Sequence, residues 1–327
     1  MFYYYLTTLT LSAYLKQKKY NFIPTLFLAT IFFLFFTRNN ISADWESYKL
    51  IFNGVKSISL EPVWKILISY NPLQQNTFQL FIFTQSLLYI SPIPFLVKKY
   101  KGSFSVEYFL IYSLVLGFIL LGHGYLRQSV ASSMLLLAFV FFKEQKYVLY
   151  VLFVIVSTLF HLSGAIGLIL LLYPLVKRLS LKNTILISVL IPTGLFIPYI
   201  LNVPMKYSDR VSTGLILRGV LYLYLSLSIY KLSSSYKEKR ISIGISSFII
   251  SIIPISFLLG YSTIVDRSLH YLAQPLALTL SMIGYNRKSY KNLIGFIILQ
   301  FLFLFLWLHL GKHAEKWDYN NIFFPFI

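Results

Sequence analysis

Apolar residues come in long runs along this chain, and short polar stretches between the runs hold most of the charge. Continuous runs of this kind predict helices that cross a bilayer, for which roughly 20 apolar residues suffice when the helix stands upright. Spans are expected near 2–15, 21–37, 76–97, 104–121, 126–142, 147–160, 162–176, 184–201, 214–230, 241–259, 268–284 and 292–310. The expected fold is all-α: a polytopic integral membrane protein of about twelve transmembrane helices, 1–327 forming one domain.

Alternate loops carry the lysines and arginines. KQKK (16–19), KKYK (98–101), KEQK (143–146), Lys177 to Lys182, KLSSSYKEKR (231–240) and RKSYK (287–291) are all short. The positive-inside rule assigns them to the cytoplasm, which puts both termini outside. The break between 147–160 and 162–176 is the least marked. Fusing those runs into one helix would send every later basic cluster to the wrong side, so a hairpin turning at His161 is expected.

Composition sharpens this picture. The 327 residues are 57% hydrophobic and 12% charged, about half the charge of a soluble domain. A net charge of +19 would suggest nucleic acid, but its concentration in short cytoplasmic loops serves topology and anionic lipid instead, so no nucleic-acid partner is expected. With no cysteine there is no disulfide and no thiolate metal site. The first run has no basic residues before it and is read as a retained span, not a signal peptide. No cytoplasmic loop has room for a nucleotide fold or a Gly-rich phosphate loop, so the energy for any reaction comes from elsewhere.

The diverse chemistry falls on the other side. Only Glu107, Glu144 and Glu238 among the acids lie inward, while all five histidines lie at or near the outer face. The outer loop 38–75 places Trp45, Tyr48 and Phe52 at helical spacing. Val63, Trp64, Leu67 and Ile68 repeat the pattern after Glu61-Pro62, where proline suits a first helical turn. Two short interfacial helices with aromatic anchors are expected, with Asp44, Glu46 and Glu61 over a cavity.

In GHGYLRQSVASS, His123 and Arg127 are four apart and so are expected on one helix face, followed by small and polar positions that pack on protein. A charge at mid-membrane costs about 2.5–3.5 kcal/mol, so Arg127 needs a surface, a partner or a function. His161 in STLFHLSGA is a candidate base, since neutral imidazole accepts a proton near pH 6.5. The outer loop 202–216 adds Asp209 and Arg210, with Arg218 just beyond it. GYSTIVDRSLHYLAQP adds Asp266, Arg267, His270 and Tyr271, the last three at i, i+3, i+4 and expected on one face; Asp266 is alternatively a salt bridge to another outer arginine. Arg127, Arg210 and Arg267 open or precede three different spans on one side, a set suited to grip a diphosphate without a metal. No spacing suggests a metal site, and no cofactor is expected.

ADWESYKLIF, EPVWKIL, YLRQSVASSMLLLAFVFF, STLFHLSGAIGLIL and, less closely, YSTIVDRSLHYLA follow in order the pattern of EpsG-type, Wzy-like bacterial polysaccharide polymerases, which this chain resembles over most of its length. The Arg-Gln-small-small stretch at Arg127 and the Phe-His-small turn at His161 are the most specific parts; 184–240 matches in hydropathy only. The resemblance implies assembly of capsule, O-antigen or exopolysaccharide in the bacterial cytoplasmic membrane, and a helical fold similar to membrane glycosyltransferases with lipid-linked donors. It implies transfer of a growing glycan from undecaprenyl diphosphate to a sugar hydroxyl of another lipid-linked repeat unit at the outer leaflet. A chain-length regulator protein is a candidate partner beside membrane lipid. On this reading Arg127 stabilises the departing diphosphate, and His161 or an outer carboxylate, Asp44 first, is the base. Arg210, Arg267, His123, Glu46, Glu61, Asp266, His270 and Tyr271 would line the substrate site. A flippase for the same lipid-linked sugars and a ligase passing a finished glycan to another acceptor stand as alternatives.

Overall fold

Helices dominate the computed structural model, which describes residues 38–39, 45–52, 60–69, 77–100, 103–172, 180, 182–183, 185–186, 190, 212, 214–258, 262–287, 290–310 and 320–321. Two short helices come first, α1 (Trp45–Phe52) and α2 (Pro62–Ser69). Next are α3 (Thr77–Ile90) and α4 (Pro92–Lys99), parted only at Ser91 and together apolar enough to cross a membrane from Phe78 to Lys99. Then follow α5 (Val106–Ser113), continued by π-helical Leu114–Gly124, α6 (Leu126–Lys143), and α7 (Tyr147–Phe160) with 3-10 helical Leu162–Leu172. The last group is α8 (Leu215–Leu232), α9 (Tyr236–Leu258), α10 (Ser262–Leu269), a 3-10 turn His270–Leu272, α11 (Ala273–Arg287) and α12 (Tyr290–Leu310).

Among the described residues five helical stretches are long and apolar enough to cross a membrane: Phe78–Lys99, Val106–Gly124, Leu126–Lys143, Leu215–Leu232 and Tyr236–Leu258. They match expected spans. Tyr147–Phe160 and Lys291–Trp307 are shorter apolar helices at two further expected positions. The expected spans 2–15 and 21–37, and nearly all of 184–201, lie outside the described residues. The stretch expected as a single span at 268–284 is instead interrupted by the 3-10 turn at His270–Leu272. Arg38–Asn39 pairs antiparallel with Asn320–Asn321, joining two segments expected on the same side.

The α-to-π change is stitched by side chains. At that register change the backbone groups lose their usual helical partners and must find others. Gln300 of α12 donates its amide to Ile111 O at 3.0 Å and accepts from Val115 N at 3.1 Å. From α3, Tyr89 donates to Gly117 O at 2.6 Å and Gln85 to Gly122 O at 3.4 Å.

α6 is central to the packing. Its Leu136 and Val140 join a hydrophobic core built from α5, the π-helical stretch, α8, α9, α11 and α12. Its Leu126, Val130 and Ala131 join a second core with α1, α2, α3 and α7. Gln128, Ser129, Ala131, Ser132 and Ser133 are buried as expected; Ser133 donates to Tyr89 O at 2.7 Å, and Ser157 of α7 to Ala131 O at 2.8 Å. Trp45, Tyr48 and Trp64, aromatic residues of the two helices expected at the interface, pack into the protein. Trp45 and Trp64 are buried, and Trp64 Nε1 donates to Phe160 O at 2.8 Å. Trp45 packs edge-on against Phe78 of α3, and Trp64 against Phe81 of α3 and Phe160 of α7.

Three of the expected cytoplasmic loops meet at one end of the bundle. Lys99 and Lys146 pair with Glu144 at 2.6 and 3.1 Å, and Lys143 with Glu238 at 3.7 Å. Arg127 opens the other end of α6, about 24 Å away at 1.5 Å rise per residue.

Candidate active site

Tyr125, with φ −119° and ψ 76°, interrupts the helical path between Gly124 and Leu126. Arg127 therefore sits in the first turn of α6, where the helix dipole disfavours a cation and a partner is needed. Glu61, just before the proline that starts α2, supplies it by an ion pair. Arg127 Nε also donates to Tyr48 OH of α1 at 2.7 Å, and its guanidinium lies 5.3 Å from the Tyr48 ring centroid. Two segments far from α6 in sequence thus hold one guanidinium in place.

His161 follows the last residue of α7 in extended conformation, as the expected hairpin turn requires. Gly164 lets the 3-10 segment come back against α7: a Cβ there would meet the Ser157 backbone carbonyl carbon at 2.7 Å. His161 Nδ1 is 2.5 Å from Ser163 Oγ and accepts from Ser163 N at 3.3 Å. Ser163 Oγ is 2.8 Å from Tyr271 OH. Burial, and then the positive charges of Arg127 and Arg267, pull the imidazole down from 6.5 to about 4, so it is neutral at physiological pH. Arg267 lies with its guanidinium 5.7 Å from the Tyr125 ring centroid, and among the described residues no carboxylate pairs with it. Gln128, next to Arg127, donates to Arg267 O.

A second cluster lies on the far side of Tyr125. Asp266 turns away from Arg267 and takes Arg218 in a two-point pair, with Nε to Oδ1 at 2.6 Å and Nη2 to Oδ2. Ser212 donates to Asp266 Oδ2 at 2.8 Å. His270 Nδ1 is 3.0 Å from Tyr222 OH, and its ring centroid is 5.2 Å from that of Tyr125. This cluster is neutralised and closed, its charged side chains 8% and 4% exposed.

Arg127, Glu61, His161, Arg267 and Tyr271 are thus brought together. Asp266 takes the alternative foreseen for it, a salt bridge to an arginine. Arg267, His270 and Tyr271 do not present one face, because the 3-10 turn sends His270 towards Tyr222 and Tyr271 towards Ser163. His123 is buried in the π-helical stretch, and the break at Tyr125 separates it from the face of Arg127 it was expected to share. Glu46 is exposed on α1. Asp44 and Arg210 lie outside the described residues. Sequence reasoning missed Tyr48, Tyr125, Ser163 and Tyr222 as partners; only Ser163, inside the HLSG turn, carried a local signal.

Chemically, the cluster is two guanidiniums against one carboxylate, beside a neutral imidazole with hydroxyls on its Nδ1 side. Counted over the described residues, it carries an excess positive charge and an unprotonated nitrogen. The EpsG family model matches residues 20–326 of the chain. No curated protein and no solved structure matches it.

Proposed function

The chain belongs to the EpsG family, and on that footing we propose that it polymerises polysaccharide by passing a growing glycan from undecaprenyl diphosphate to a sugar hydroxyl of another lipid-linked repeat unit. Membership supports a polysaccharide polymerase in general, and the apolar helices support a membrane protein. The single observation that carries the finer reading is the excess of guanidinium charge beside His161, assembled from α6 and α10, which are far apart in sequence.

In the proposed reaction the acceptor oxygen bonds to the donor's anomeric carbon as that carbon's bond to the diphosphate oxygen breaks. The electron pair leaves with the diphosphate. Arg127 and Arg267 face the charge that develops there, the kind of preorganised stabilisation that is worth about 10²–10³ in rate per donor. Glu61 and Tyr48 orient Arg127. His161 takes the acceptor proton. Asp44 stays the second proposed base, and Arg210 a third proposed phosphate ligand. Glu46, His123, Asp266 and His270 belong to the proposed site's margins. The guanidiniums supply the cationic charge, so the reaction is proposed to need no metal.

We place the site on the outer face of a bacterial cytoplasmic membrane, with 1–327 as one transmembrane domain, 38–75 and 202–216 as outer loops, and α1 and α2 at the interface. The meeting of three lysine-bearing loops at the opposite end supports that orientation. A chain-length regulator is a proposed partner. The test is incubation of purified protein with lipid-linked repeat units, with and without chelator. A ladder of products still on polyprenyl diphosphate is expected under both conditions, and none with Arg127→Ala. Transfer to a different acceptor would assign a ligase instead, and transport across vesicles without glycan product a flippase.

A further inference from the structure

We infer that the acceptor proton reaches His161 through Ser163, whose hydroxyl is the group that touches the acceptor, with Tyr271 as the residue that positions it. The inference rests on the polymerase reading and specifies how its base works.

The direction of the hydrogen bonds carries it. A backbone N–H can only donate, so Ser163 N at 3.3 Å fixes Nδ1 as the unprotonated nitrogen of neutral His161, with the ring proton on Nε2. The Ser163 hydroxyl, 2.5 Å from the same Nδ1, must then donate to it. Having spent its only proton, Ser163 Oγ accepts from Tyr271 OH at 2.8 Å. Tyr271 OH also lies 3.5 Å from His161 Nδ1, a longer approach than its contact with Ser163. The result is a one-way chain from Tyr271 to Ser163 to His161. The basic lone pair of His161 is covered by Ser163, and an incoming hydroxyl meets Ser163 Oγ first.

As the acceptor oxygen attacks, its proton passes to Ser163 Oγ while Ser163 passes its own to Nδ1. Ser163 ends unchanged and His161 ends as imidazolium. Among the described residues Nε2–H has no hydrogen-bond partner, so it is a third donor for the anion beside Arg127 and Arg267. The charges facing His161 are those two guanidiniums, with Glu61 acting on neighbouring Tyr271. Without substrate, burial first and these charges second hold His161 a weak base. A diphosphate between them offsets their charge and strengthens it, which ties proton uptake to an occupied site.

Two measurements test this, on the full chain in detergent or nanodiscs. The first follows extension of lipid-linked repeat units extracted from polymerase-deficient membranes of the source strain. Ser163→Ala is expected to lower kcat about 100-fold with the donor KM unchanged, Ser163→Thr to keep most of the rate, and Tyr271→Phe to lower kcat about tenfold. The second reads the His161 tautomer by ¹⁵N NMR, and expects the proton on Nε2. Failure of the unaltered chain to extend would sink the polymerase reading itself. Extension by Ser163→Ala at the parent rate, equal losses in Ser163→Ala and Ser163→Thr, or a proton on Nδ1 would each overturn the relay alone.

Discussion

Two arginines enter this bundle within one turn of a helix start, and their surroundings differ. Arg218 is locked to Asp266 at two points, with Ser212 adding a hydrogen bond to Oδ2, and the pair is almost wholly covered. Arg127 has Glu61 and stands near Arg267, with which no carboxylate pairs among the described residues, and its side chain keeps 19% of its exposure. The first arrangement spends all its charge internally and can only hold structure. The second leaves positive charge over, next to a neutral imidazole, and that surplus is what an anionic ligand would meet. Burial of an ion pair by itself is therefore a poor guide to a functional arginine; the local charge balance is the better one.

That contrast can be broken from either side. The largest effect is expected at the closed pair. Arg218→Ala leaves Asp266 buried without its cation and should cost about 3–5 kcal/mol, seen as a large drop in the melting temperature in detergent. Replacing both partners by apolar residues, Arg218→Met with Asp266→Leu, should recover most of that loss. No recovery would mean Asp266 has a role beyond the pair. Next is Arg127→Ala, expected to lower chain extension by about 10²–10³-fold while the melting temperature moves far less than in Arg218→Ala. Equal thermal loss in the two variants would erase the distinction drawn here.

Arg267→Ala should do less, about tenfold in extension rate, because among the described residues its guanidinium meets the Tyr125 ring and no ion-pair partner, where Glu61 and Tyr48 both hold Arg127. The smallest effect is on pH. His161 is pulled from 6.5 to about 4 in the folded chain. Between those values the unfolded chain takes up a proton that the folded chain refuses, so stability is full above pH 6.5 and falls as pH drops towards 4. His161→Gln should flatten this slope in melting temperature measured from pH 7 to 5, and an unchanged slope would mean the ring is not held neutral.

Much of the helical framework was legible from hydropathy. The hairpin at His161, the helix opening after Tyr125 and the small-residue face of α6 lie where apolar periodicity and the positive-inside rule put them. The interruptions were not. A π-helical stretch at Leu114–Gly124 and a 3-10 turn at His270–Leu272 leave the hydropathy of their segments unchanged, because they alter backbone register and not side-chain polarity. They are held by partners such as Gln300, 185 residues from Val115 in sequence. For the same reason helical spacing misplaced His123 and His270.

Among site residues, Arg127, His161 and Arg267 stood out because a charge or imidazole in an apolar chain is costly and needs an explanation. Tyr48 and Tyr125 did not, since a chain with 26 tyrosines offers hydroxyls everywhere and nothing local marks the ones that matter, while Ser163 had only its place in the HLSG turn to mark it. The chain's own order of residues determined that helices form, where apolar segments begin and end, and which rare polar groups demanded partners. Those are properties of single segments, set by the cost of leaving backbone or charge unsatisfied in an apolar medium. Which carboxylate met which arginine was decided only by packing, because Glu61 reaches Arg127 and Asp266 reaches Arg218 across segments whose approach no local pattern encodes.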